Sequence, residues 1–190
     1  TSATPGKLWA YLPFHPHDGH TTASILAAHG HLAALQLARR YGCPWGVVGV
    51  ASGGPCVYAA LHGHLAVLQW ARTDGCPWDI RTCSSAAING HLEVLQWARA
   101  QVPPCPWYEG VCAAAARNGH LATLQWLRAQ VPPCPWDVVT SASAANQGHL
   151  EVLQWLQAQD PPCPWDSDTI VMADPAVVQW LHENGCPEPM

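Results

Sequence analysis

Histidine and cysteine are the residues of this sequence best suited to chemistry, with eleven and nine copies among 190 residues. Both types bind transition metals, and a thiol beside an imidazole is an activated nucleophile. Five histidines stand in a Gly-His-Leu triplet: His31, His64, His91, His120 and His149, at steps of 33, 27, 29 and 29 residues. Stacked repeats would set such residues in a row about 10 Å apart, the separation of packed helices. A zinc ion needs all its ligands at about 2 Å. The row therefore cannot share a metal, and a structural role at the start of a helix is expected. His15, His17 and His20, near Asp18, form a weaker surface set without the further carboxylates that orient metal-binding imidazoles.

The nine cysteines are odd in number and contain no CxxC pair, so they fit neither a zinc ribbon nor a thioredoxin-type motif. Free cysteine packs like a small hydrophobe, so reduced, buried thiols are expected. That state points to a reducing compartment such as cytoplasm, nucleus or organelle matrix. No GxSxG, P-loop, HExxH or GxGxxG occurs. Ser84 and Ser85 stand in an Ala-rich run, where packing explains them. The sequence thus reads as non-enzymatic, with no cofactor and no metal, and a metal-binding protein is the minor alternative.

Composition narrows the classes further. At 49% hydrophobic and 11% charged, the chain is too apolar to stay disordered. No apolar run reaches the roughly 18 residues of a membrane span, so membrane insertion is not expected. The net charge is −5, and the one lysine, Lys7, and the arginines do not cluster. Direct nucleic-acid binding, which needs a basic stripe, is not expected either.

The elements that would position these residues come from a repeat. Cys-Pro-Trp recurs at Cys43, Cys76, Cys105, Cys134 and Cys163, and Gln-Trp at Trp70, Trp97, Trp126, Trp155 and Trp180. Within one unit, Thr140 to Asn146 is short and Ala-rich and predicts a first helix. Gly148 supplies a left-handed stop. His149 to Ala158 predicts a second helix, with Leu150, Val152, Leu153, Trp155 and Leu156 at helical spacing and Glu151 near its positive end. Pro161, Pro162 and Pro164 force an extended link. A lone helix pair cannot cover its apolar face, so the pairs must stack. Trp70, Trp78, Trp97, Trp107, Trp126, Trp136, Trp155 and Trp165 are then the structural repeat core, filling the seams between units.

These residues resemble the ankyrin repeat. Gly90-His91-Leu92-Glu93-Val94-Leu95 matches the start of that family's second helix, and Ala86-Ala87 the Ala pair ending its first. Gly75-Cys76-Pro77-Trp78-Asp79 stands where the family has Gly-Ala-Asp-Val-Asn. The likeness covers roughly residues 20 to 187. The family's Thr-Pro-Leu-His is mostly absent, with Val57, Ser84, Ala113 and Ala142 at its His place. The spacer after Trp78 is also too short for the family's β-hairpin finger; only residues 46–53 have the length for one. Such short-spacer repeats look like divergent ankyrin arrays of giant viruses and of algae and other protists. The resemblance implies an all-α, ankyrin-type helix-turn-helix solenoid with shortened or missing fingers.

The expected division is residues 1–19 as an N-terminal loop or remnant of an earlier segment. Residues 20–190 follow as an array of about five to six units, with 163–190 a degenerate C-terminal cap. In such stacks the first helices and the spacer edge line a concave face that binds a protein partner. At matching places the spacer edge carries Ile80, Arg81, Tyr108, Glu109, Val138 and Val139, and the ends of the first helices His62, Asn89, Arg117 and Gln147. The expected function is an adaptor or scaffold. The alternative is a structural subunit fixed in a large assembly, an organellar complex or a virion, which low charge and high apolarity would suit.

Overall fold

The computed structural model describes residues 22–46 and 53–188, and within them all regular structure is helical. Twelve helices form six pairs: α1 (Thr22–Ala28) and α2 (Leu32–Arg40), α3 (Pro55–Leu61) and α4 (Leu65–Thr73), α5 (Ile80–Ile88) and α6 (Leu92–Arg99), α7 (Glu109–Arg117) and α8 (Leu121–Arg128), α9 (Val138–Asn146) and α10 (Leu150–Gln157), α11 (Ser167–Val171) and α12 (Pro175–Glu183). The expectations for residues 1–19, for the histidines there, and for a finger over 46–53 fall largely or wholly outside the described residues.

Glycine and aspartate set the helix ends. Each of the first five pairs turns at a Gly with φ near +70°, a conformation that only glycine adopts cheaply. At Gly90, the following His91 amide donates back to the Ala86 carbonyl at 2.9 Å, closing the end of α5. Three first helices, α5, α9 and α11, start on side-chain caps: Asp79 accepts from the Arg81 amide, Asp137 from Val139, and Asp166 from Thr169. The Asp137 cap moves the start of α9 back to Val138, two residues before the Thr140 start that the Ala-rich run suggests.

The two helices of a pair pack differently. First helices lie side by side in the order α1, α3, α5, α7, α9, α11, and in the first five pairs each also packs on its own second helix. Their contact residues are small: Ala86, Ala87, Ala115, Ala116, Ala144 and Ala145 are fully buried. The second helices contribute Leu68, Leu95, Leu124, Leu127, Leu153 and Leu156, also fully buried, and their neighbouring backbones stay further apart. Burying one such leucine stabilises the fold by about 1.5–3 kcal/mol.

The tryptophans expected as core are half-buried and packed against it. Four Cys-Pro-Trp indoles meet the second-helix indole of the next pair edge to face, among them Trp78 with Trp97 at 5.9 Å, Trp107 with Trp126 at 6.3 Å and Trp136 with Trp155 at 6.1 Å. An arginine of the preceding second helix lies over three of these rings. Arg72, Arg99 and Arg128 lie 4.2, 3.8 and 3.8 Å from the rings of Trp78, Trp107 and Trp136. The guanidinium of Arg99 also donates to the Cys105 carbonyl at 2.6 Å. Each layer of cation and two rings thus spans two pairs, with cation–π attraction added to burial.

The glycine-linked histidines form a second tie between pairs. The Nε2–H of His64 donates to the carbonyl of Ala28, His91 to Leu61, His120 to Ile88 and His149 to Arg117, at 3.0–3.2 Å. Each acceptor is the last residue of the preceding first helix, whose carbonyl lacks a helical partner. The ring lies flat on the preceding turn glycine. A methyl added to Gly119 would sit 2.8 Å from the His149 ring, so the absence of a side chain there is what admits the imidazole.

All nine thiols are free and buried. Three pairs lie inside the second, third and fourth hairpins: Cys56 with Cys76, Cys83 with Cys105, Cys112 with Cys134. The thiols of Cys56, Cys83 and Cys112 are pushed up from the ordinary cysteine range by the hydrogen bond to the partner thiol and by burial. Such thiols keep their protons and are poor nucleophiles. In the fifth hairpin Ser141 takes the first-helix place, beside Cys163.

Candidate functional site

Ile80, Arg81, Glu109, Val138 and Val139 stand in the first turns of their helices rather than in the links, and for α5 and α9 the Asp79 and Asp137 caps set that start. Tyr108 is the cap position of α7. The aliphatic members are solvent-facing, Ile80 at 43% and Val139 at 52% exposure. This row of apolar side chains is covered by nothing among the described residues. Arg81 is held differently: its guanidinium pairs with Asp79 at 2.7 Å, and that pairing draws the Asp79 carboxyl below its usual range. Tyr108 folds its ring back over Gly110, where any side chain would collide with it.

His62, Asn89, Arg117 and Gln147 lie at the opposite ends of the first helices and are exposed. His62 stacks on His64, and the Asn89 amide donates to the Leu61 carbonyl at 2.6 Å, so both serve the joint between pairs. Gln147 donates to the Asn146 side chain. Arg117 is the last residue of α7 and makes no ion pair among the described residues.

Three of these residues come together. Arg117, Val138 and Val139 line an open groove of about 440 Å³ running from α7 across α9 to α11. Ala142, Ser143, Asn146, Asp166, Asp168 and Met172 complete it, and these the spacing argument missed. Their signal lay in the degenerate last unit: α11 has five residues where α9 has nine, so it stops short of the last turn of α9, around Ser143 and Asn146. Met172, just past the end of α11, is 54% exposed. Asp166 is engaged in capping, accepting from the Thr169 amide and hydroxyl, whereas Asp168 makes no ion pair among the described residues.

The groove offers methyl groups, one guanidinium and two carboxylates. It brings together no nucleophile with a base, and among the described residues no group of three or more His, Cys, Asp or Glu could hold a metal ion. No helix of the described residues is long and apolar enough to cross a membrane. What the arrangement can do is bind an amphipathic surface. No protein-family model matches the chain, and no curated protein matches it.

Proposed function

We propose that this chain is a non-enzymatic protein-interaction module of the ankyrin type, which captures a protein partner along the edge of its first helices. The observation that carries the reading is the row of exposed aliphatic residues ending in the groove on α9. Exposed apolar area that continues across several elements marks an interaction site. The frame suits the role. Ala-lined first helices approach more closely than Leu- and Trp-lined second helices, a difference that favours a stack concave on the side of the first helices. A partner on that side meets several pairs at once.

The test is affinity purification of the full-length protein from its native cell, beside a variant carrying Ile80→Asp and Tyr108→Ala. The expected outcome is a defined partner lost from the variant, with circular dichroism and unfolding midpoint unchanged. A partner retained in full by a folded variant would reject the edge as the binding surface. A partner that exchanges in a competition wash marks an adaptor, and one that never leaves marks a fixed subunit.

A further inference from the structure

We propose that the groove on α9 takes a linear protein segment in which an aliphatic side chain stands between a basic residue and a carboxylate. This rests on the interaction reading above and names the chemistry of the partner at one place. The floor is apolar, formed by Val138, Val139, Ala142 and the thioether of Met172. About 440 Å³ suits a few aliphatic side chains and is open to solvent along its length. The charges are segregated. Arg117 is at the C-terminal end of α7, and Asp168 is in the first turn of α11, so the two flank α9 at opposite helix ends. Neither makes an ion pair among the described residues. Two unpaired charges of opposite sign across a methyl-lined floor favour a segment whose charges run the other way, carboxylate to Arg117 and cation to Asp168. Polyanions are disfavoured by the two carboxylates beside a single guanidinium.

The last turn that α9 has and α11 lacks falls at Ser143 and Asn146, toward the Met172 end of the groove. The occupant sets its apolar side chain on the methyl floor and meets the rim with its charges.

The test uses three blocked synthetic peptides with a central leucine flanked by lysine on one side and glutamate on the other, by lysine on both, or by glutamate on both. They are titrated into the full chain while the methyl resonances of Val138, Val139 and Met172 are followed by NMR. The mixed peptide is expected to shift these methyls and to bind about 1.5-fold to fivefold tighter than either like-charged peptide, the range one exposed ion pair supplies. Arg117→Glu should switch the preference to the lysine-flanked peptide, and Asp168→Lys to the glutamate-flanked one. Replacing the central leucine by serine should abolish the shifts. Equal affinity for all three peptides, no methyl shift with any, or unchanged preference in Arg117→Glu would each overturn the proposal. Such failure leaves the interaction reading to be judged by Ile80 and Tyr108, which lie outside the groove.

Discussion

The fourth hairpin, α7–α8, and the last, α11–α12, follow one plan with different fillings. In the fourth, a nine-residue first helix carries a buried thiol, His120 reaches back to the preceding pair, and Leu124 is fully buried. In the last, the first helix has five residues, Asp174 stands in the histidine place, and Val178 in the leucine place is half-buried. The tie is kept by other means: the Asp174 amide donates to the Ala145 carbonyl at 2.8 Å while its carboxylate caps α12. The arginine layer changes in the same way. Gln157 stands where Arg128 would recur, and it donates to the Cys163 carbonyl at 2.8 Å as Arg128 donates to Cys134 at 2.7 Å. The hydrogen bond survives and the charge over Trp165 does not. An inner pair must satisfy two neighbours, so its geometry is shared; the last pair has one such neighbour among the described residues and can trade burial for an open groove.

The comparison breaks most visibly in the buried layer. Leu124→Ala should cost about 3–5 kcal/mol, while Val178→Ala, at the equivalent place, should cost about 1 kcal/mol. Urea unfolding of the two variants measures the difference, and equal losses would mean that the last pair is packed as tightly as the inner ones. Next in size, His120→Ala leaves the Ile88 carbonyl without its partner and the space over Gly90 empty, a loss of about 1–3 kcal/mol. Asp174→Ala removes only a helix cap, about 1 kcal/mol, and the ratio of the two thermal shifts tests whether the imidazole does more than an N-terminal cap.

A smaller effect should be gained rather than lost. Gln157→Arg restores the guanidinium over the Trp165 ring and should raise stability by about 0.5–1 kcal/mol, with Arg128→Gln losing a similar amount. Unchanged midpoints in both variants would make the repeated arginine layer incidental to stability. Alkali separates the regions. Burial pushes the Cys163 and Cys186 thiols up to about 11 from an ordinary value of 9.0. The unfolded chain releases these protons first, so stability should be intact below about pH 9 and fall as pH rises toward about 11. Cys56, Cys83 and Cys112, raised by the hydrogen bond to a neighbouring thiol as well as by burial, extend the loss to higher pH. Urea midpoints of Cys163→Ser and Cys83→Ser against pH check this, each variant showing a shallower alkaline decline than the parent.

The helices and their stops were legible in the sequence because their causes are local. Glycine at the turn and apolar residues at helical spacing delimit His149 to Ala158, and α10 spans Leu150–Gln157. The start of α9 was misplaced by two residues because Asp137 acts through a cap, and an Ala-rich run shows only where small residues are. The histidine ties were legible as a phase, with a structural role, but not as a contact, since the partner carbonyl belongs to another pair. The arginine layer went unread although its signal is present: an arginine stands six residues before Trp78 and eight before Trp107 and Trp136. Of the candidate surface, Arg117, Val138 and Val139 share the groove, while Arg81 and Asn89 are committed to bonds within the fold. Which exposed residue is already engaged depends on side-chain geometry, and spacing carries none.

Each imidazole latch fastens a hairpin only to the one before it. Mechanical or thermal opening should consequently travel as an unzipping front, releasing one latch at a time from the loosely packed α11–α12 pair. Amide exchange would register this as a staircase of protection, lowest at α11 and climbing through α9 to α7, with the peptide groove on the first step to let go.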